Sequence, residues 1–186
     1  MLSPDRAAPL PRLRLARVAL VFALAGALGG CFQPMYATGT PQAGPGLKEQ
    51  LSNIEVVKIE GELGNEFRND LIFNLTGGAG NPAGAPYKLV MKVKSTSTYA
   101  IVNTSSGLPE AKVVRVSSDW VLLRAGEEAK GPVTKGSAAS SASIDVSQER
   151  FANYSATRDA ERRAGGTLAE MIKAQLAAYF VKQAGS

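Results

Sequence analysis

The only cysteine of the chain, Cys31, divides it into two parts that obey different rules. Before it stand Arg6, Arg12, Arg14 and Arg17, then an apolar run over residues 18–28, then Gly29 and Gly30. As a helix that run would span about 17 Å, against about 30 Å for the hydrocarbon core of a bilayer. It is too short to cross. A basic start, a short apolar centre and a small-residue end make a signal peptide, so residues 1–30 are expected to be an address and not part of the fold. What remains of the 186 residues has room for one ordinary domain.

The stretch Leu28-Gly29-Gly30-Cys31 resembles a lipobox. That resemblance implies that the Cys31 thiol receives diacylglycerol, that cleavage follows just before it, and that the new amino group is acylated. Small residues at 29 and 30 let an extended chain enter a peptidase site. Each buried methylene contributes about 0.8 kcal/mol, so two or three acyl chains hold where one would not. Phe32 stands where enterobacterial sorting rules would place an inner-membrane retention Asp, which favours the outer membrane. Residues 31–50, rich in Pro and Gly, are expected to be a flexible tether reaching roughly 25 Å.

Charge and composition exclude several functions. The net charge of +5 falls to +2 once Arg6, Arg12, Arg14, Arg17 and Asp5 leave with the leader. So small a charge gives no reason to expect a nucleic-acid partner. The chain has no histidine. With only one cysteine besides, Cys/His zinc sites, an intramolecular disulfide, a Ser-His-Asp triad and a Cys-His dyad are all excluded. No cofactor motif appears, and Gly77, Gly78 and Gly80 end a helix where a phosphate loop would open one. Adjacent Glu127 and Glu128 lie in a turn, where neighbouring side chains point into water. A hydrolase would need a convergent acidic pair, and the sequence offers none.

Residues 51–186 are expected to form a single α+β domain. Ile54-Glu-Val-Val-Lys-Ile59 has β character. Leu63, Phe67, Leu71 and Leu75 then recur every four residues, the mark of an amphipathic helix, stopped by Gly77-Gly78. Alternation returns at residues 87–94, with Tyr87, Leu89, Met91 and Val93 on one face, and continues or re-forms at 99–102. A second β stretch covers 112–124, placing Val114, Val116, Trp120 and Leu122 together; a third, serine-rich and weakly hydrophobic, covers 133–146. The last helix is expected over residues 155–183, with Ala164, Leu168, Ile172, Leu176 and Phe180 as its stripe, widened by Met171 and Tyr179. Ser155 or Thr157 is placed to cap it, and Gly165-Gly166 marks a kink or a close approach to the sheet. The order is β-α-β-β-β-α: two helices packed on a small, mostly antiparallel sheet.

Two features outside the core invite function. Eight of the twelve residues at 95–106, and four of the seven at 137–143, are Ser, Thr or Asn. They form an exposed sheet face, a flexible loop, or a polar surface fit for a wet cavity such as a barrel lumen. Lys88, Lys92, Lys94, Lys112, Arg115 and Arg124 are scattered through the same strands, with Lys92, Lys94, Arg115 and Arg124 as the candidate contacts. Together they would make a patch able to hold phosphates or acidic sugars; apart, they are solubilising and edge-protecting charges. The charges of Arg158, Asp159, Glu161, Arg162 and Arg163 read as a solvated helix face with intrahelical pairs or as a docking surface.

Taken in order, these stretches resemble the LPS-assembly lipoprotein family LptE, in the version seen in alphaproteobacteria. The resemblance rests on Gly30-Cys31-Phe32-Gln-Pro34-Met-Tyr36, Ile54-Glu-Val-Val-Lys-Ile59, Phe67-Arg68-Asn69-Asp70-Leu71, Tyr87-Lys-Leu89 and Asn153-Tyr154-Ser-Ala156. It extends through Asp159-Ala-Glu161-Arg-Arg163-Ala164 and Leu168-Ala-Glu-Met-Ile172. The serine-rich strand and Gly165-Gly166 depart from the pattern. The resemblance implies a non-enzymatic outer-membrane lipoprotein, anchored at Cys31 and seated in the lumen of an LptD-like β-barrel. It would plug and support that barrel while helping lipopolysaccharide reach the outer leaflet. The alternative is an auxiliary lipoprotein of an ABC-type lipid-trafficking system.

Overall fold

The computed structural model describes residues 46–102 and 104–185. Cys31, its leader and the first part of the tether lie outside the described residues. Eight elements follow in order: α1 (Leu47–Ser52), β1 (Ile54–Val56), α2 (Glu62–Thr76), β2 (Tyr87–Val102), β3 (Pro109–Arg124), a 3-10 turn (Glu128–Lys130), β4 (Thr134–Asp145) and α3 (Arg150–Ala184). The expected α+β architecture and its β-α-β-β-β-α order are present, preceded by the short α1. No described helix is long and apolar enough to cross a membrane.

The strands lie side by side in the order β1-β2-β3-β4. β1 runs parallel to β2, which requires a crossover, and α2 supplies it. β2 and β3 form a long antiparallel hairpin in which Tyr87 faces Arg124 and Thr98 faces Val113, and β3 pairs antiparallel with β4 from Ala111↔Asp145 to Leu122↔Thr134. All three helices pack on one face of this sheet. Phe67, Leu71 and Leu75 of α2 and Leu168, Ile172, Leu176 and Phe180 of α3 meet Leu89, Met91, Val116, Trp120 and Leu122 in one apolar core. The four-residue steps in both helices therefore mark the buried side, as the periodicity predicts.

Four details differ from the sequence reading, each for a packing reason. Leu47 and Leu51, four residues apart, settle on the core and turn the end of the expected tether into α1. The first strand stops at Val56, because Ile59 turns inward against Gly64 of α2. The last helix starts at Arg150, five residues earlier than expected. Its opening is held by Asn153, whose side chain accepts from the Ser147 N–H and donates to the Ser147 carbonyl. Thr157 donates back to the Asn153 carbonyl instead of capping. Met171 is exposed, and the buried stripe widens through Ala169 and Ala177 instead.

Glycine acts at two positions of close approach. α3 passes Gly165-Gly166 without interruption, and Gly165 lies buried against Phe67, so the contact is with α2 and not the sheet. Gly136 sits on β4 directly opposite Trp120, and a Cβ there would lie 2.6 Å from the indole ring. That gap lets the indole lie flat beneath α3, where its Nε1–H donates to Gln175 Oε1 at 2.9 Å. The weak hydrophobicity of the third β stretch is thereby explained. Its helix-facing positions Gly136, Ala138, Ser140 and Ala142 are small residues that leave room for the helix, and Ile144 beyond them packs beside Ala160.

Candidate binding face of the sheet

Helices cover one face of the sheet, so alternate residues of β2, β3 and β4 meet water on the other. The registers assemble that open face in rows, since directly opposed residues of antiparallel strands share a face. Val90 stands beside Val121 and Lys135; Lys92 beside Asp119 and Ser137; Lys94 beside Ser117 and Ala139; Thr96 beside Arg115 and Ser141; Thr98 beside Val113 and Ser143. An open groove of about 570 Å³ runs over the first two rows, lined by Val90, Lys92, Asp119, Val121, Lys135 and Ser137 among others. Lys92, Lys94, Arg115 and Lys135 are exposed.

Three of the four cations singled out from the sequence are therefore neighbours. Arg124 is not. It opposes Tyr87 on the helix side of the sheet, its guanidinium carbon 6.0 Å from the centre of the Tyr87 ring. That ring in turn meets Phe180 edge-on at 5.3 Å. Arg124 thus closes the end of the core and takes no part in the open face. Lys135 belongs there in its place. It lies in the stretch read only as serine-rich, and strand order alone brings it next to Val121 and Val90.

Residues 95–102 lie in β2 and 137–143 in β4, and they serve two purposes. Thr96, Thr98, Ser137, Ser141 and Ser143 place hydroxyls on the open face, while Ser140 faces the helix. Residues 96–100 and 102 of β2 are exposed on both sides of the strand, while their neighbour Val114 on β3 stays buried. The far end also carries exposed Tyr99, Val102 and Leu108, with Phe151 and Tyr154 on the first turns of α3.

Several charges elsewhere are paired structurally. Lys88 Nζ lies 2.8 Å from Glu128 Oε1 across the turn, and Glu127 pairs with Lys130. The Lys88 hydrogen bond, together with backbone N–H groups, lowers the Glu128 pKa to about 2. The two glutamates hold separate lysines and do not converge. Arg158 pairs with Glu62, and its guanidinium also approaches Glu66 at 3.8 Å and Glu161 at 3.3 Å. Partial burial disfavours the Arg158 charge, and the carboxylates of Glu62 and Glu66 outweigh it, raising the pKa. The charge-dense start of α3 is therefore a clamp onto α2. Among the described residues no His/Cys/Asp/Glu cluster could hold a metal ion.

A groove floored by valines, flanked by cations and bordered by hydroxyls suits an amphiphile with phosphate or acidic sugar groups. The sequence matches no family model and no curated relative. Solved structures do match. A candidate lipoprotein from Caulobacter crescentus is 28% identical with a TM-score of 0.59, covering 73% of this chain and 96% of that one. Rare lipoprotein B from Shewanella oneidensis is 9% identical with a TM-score of 0.51, covering 70% and 96%. A minor lipoprotein from Acinetobacter baumannii is 13% identical with a TM-score of 0.50, covering 69% and 92%. This chain has the fold of bacterial lipoproteins. The two more distant likenesses speak for the fold alone.

Proposed function

We propose that this chain is a non-enzymatic, lipid-anchored component of the lipopolysaccharide transport machinery of the outer membrane. It is held by an acylated Cys31, seated in the lumen of an LptD-like barrel that it plugs and supports, and assists lipopolysaccharide into the outer leaflet. The observation that carries this reading is the open sheet face. Lys92, Lys94, Arg115 and Lys135 surround valines and hydroxyls there, on the fold of bacterial lipoproteins. The lipobox and the ordered LptE-like stretches support the anchor and the partner. A polar, uncharged border suits a wet lumen, because hydroxyls satisfy a partner at lower desolvation cost than buried charge does.

Two measurements test it. Affinity purification of the native protein in mild detergent is expected to bring down a large outer-membrane barrel; its absence at normal expression would exclude the partner. Replacing Lys92, Lys94, Arg115 and Lys135 together by Ala is expected to weaken lipopolysaccharide binding at least about tenfold, since charge-assisted hydrogen bonds contribute about 1.5–3 kcal/mol each. The circular dichroism spectrum should not change. Arg124→Ala, on the other side of the sheet, is the control and should leave binding intact. Equal binding by all three proteins would remove the open face as the site.

A further inference from the structure

The two edges of the sheet are finished differently. At β1 the outward groups of Val56 are fully used. Its N–H donates to Asn81 Oδ1 at 2.9 Å, and its carbonyl accepts from Arg68 Nη2 at 2.9 Å and Asn81 Nδ2 at 3.3 Å. No strand can add there. At β4 the Val146 N–H bonds to the Glu110 carbonyl, which fixes the phase of the ladder. Even-numbered residues of β4 bond to β3, and odd-numbered ones from Lys135 to Asp145 turn their backbone groups outward. Two of these carbonyls accept from α3: Ser137 from Gln175 Nε2 at 3.0 Å, and Ser143 from Arg163 Nη2 at 3.4 Å. Among the described residues nothing bonds the outward N–H and C=O of Ala139 and Ser141 between them.

We propose that this edge pairs with a second copy of the chain, antiparallel and centred on Ser140. Three observations select that occupant and that register. Side chains from Gly136 to Ser143 are no larger than serine, and α3 reaches the edge only at the Ser137 and Ser143 carbonyls, so the centre of the strand is open to close approach. In a register centred on Ser140, outward residues meet only outward residues: Ala139 faces Ser141, and Ser137 faces Ser143. The same register sets Lys135 of each copy opposite Asp145 of the other. These are the two charges of the edge strand, and neither has an ion-pair partner among the described residues. Ala139 and Ser141 supply the free central hydrogen bonds. The Ser137 and Ser143 carbonyls, each with two lone pairs, accept a second donor. The product is an eight-stranded sheet whose two open faces are continuous across the seam. The pairing does not rest on the lipopolysaccharide reading and describes the chain outside a barrel, although Lys135 belongs to both surfaces.

Sedimentation velocity of the full chain in non-ionic detergent, over a range of concentrations, tests it. The wild type is expected to shift reversibly from monomer to dimer. Lys135→Asp and Asp145→Lys each set two like charges opposite each other and should weaken the dimer roughly tenfold. The double exchange, with charges swapped across the seam, should restore it. That restoration depends on register and not on folding. A wild type monomeric at every concentration overturns the proposal, and so does a double exchange that dimerises no better than the single variants.

Discussion

Between Asp119 and Trp120 the chain advances by about 3.4 Å, and the two side chains enter different media. Trp120 is 3% exposed beneath α3, with its ring fitted over Gly136. Asp119 stands in water between Lys92 and Ser137. The same alternation separates the two faces throughout β2, β3 and β4. The helix-covered face is apolar, close-packed and intolerant of volume change. The open face carries cations, hydroxyls, Asp119 and the valines Val90, Val113 and Val121, and almost any side chain would fit there sterically. Composition on the first face answers to packing, so composition on the second is free to answer to a ligand.

Substitutions break that contrast most sharply on the covered face. Leu168 is fully buried between the sheet and α2. Leu168→Ala should destabilise the fold by about 2–5 kcal/mol through lost burial and a residual cavity, read from chemical denaturation. An unchanged denaturation midpoint would mean that α3 does not seal the sheet. Gly136→Ala adds one methyl on the same face and should cost about 1–3 kcal/mol, because the indole must give way. The companion readout is Trp120 fluorescence, which should shift as the ring leaves Gln175; an unshifted spectrum would show that the site relaxes without moving the ring. On the open face the smallest effect belongs to Lys88→Ala. Glu128 loses its hydrogen-bonding lysine, and its pKa should rise from about 2 toward the usual carboxylate value of 4.5. A folded-state pKa below the unfolded one stabilises above the unfolded value and is lost as pH falls through the folded one. The pair's small contribution should therefore fade between about pH 4.5 and pH 2, and carboxyl NMR titration should show the shift. A titration midpoint that does not move would place the cause in the turn backbone alone.

Much of this organisation was legible in the chain. The four-residue steps of Phe67–Leu71–Leu75 and of Leu168–Ile172–Leu176–Phe180 named the buried sides of both long helices. The alternation at Tyr87, Leu89, Met91 and Val93 placed the covered face of β2. Each signal is local, set by the repeat of one element against a single apolar surface. Less was legible wherever two distant segments decide jointly. The serines of β4 looked only like polarity, because the helix that needs small residues beneath it lies some thirty residues further on. Arg124 is an exception, because it shares the even spacing of Trp120 and Leu122 and strand alternation alone assigns it to the covered face, away from Arg115. Lys135 gave no signal alone, since it joins Lys92 only through strand order.

The chain alone determined that histidine has no part in its chemistry, the fold class, and which side of each long helix faces the core. These follow from residue type and from short-range period, and no other segment can alter them. Tertiary structure decided which cations are neighbours, which edge of the sheet stays open, and why a strand of mostly small residues is stable. Those depend on register, and register is settled only when remote strands pair and a helix lies down across them.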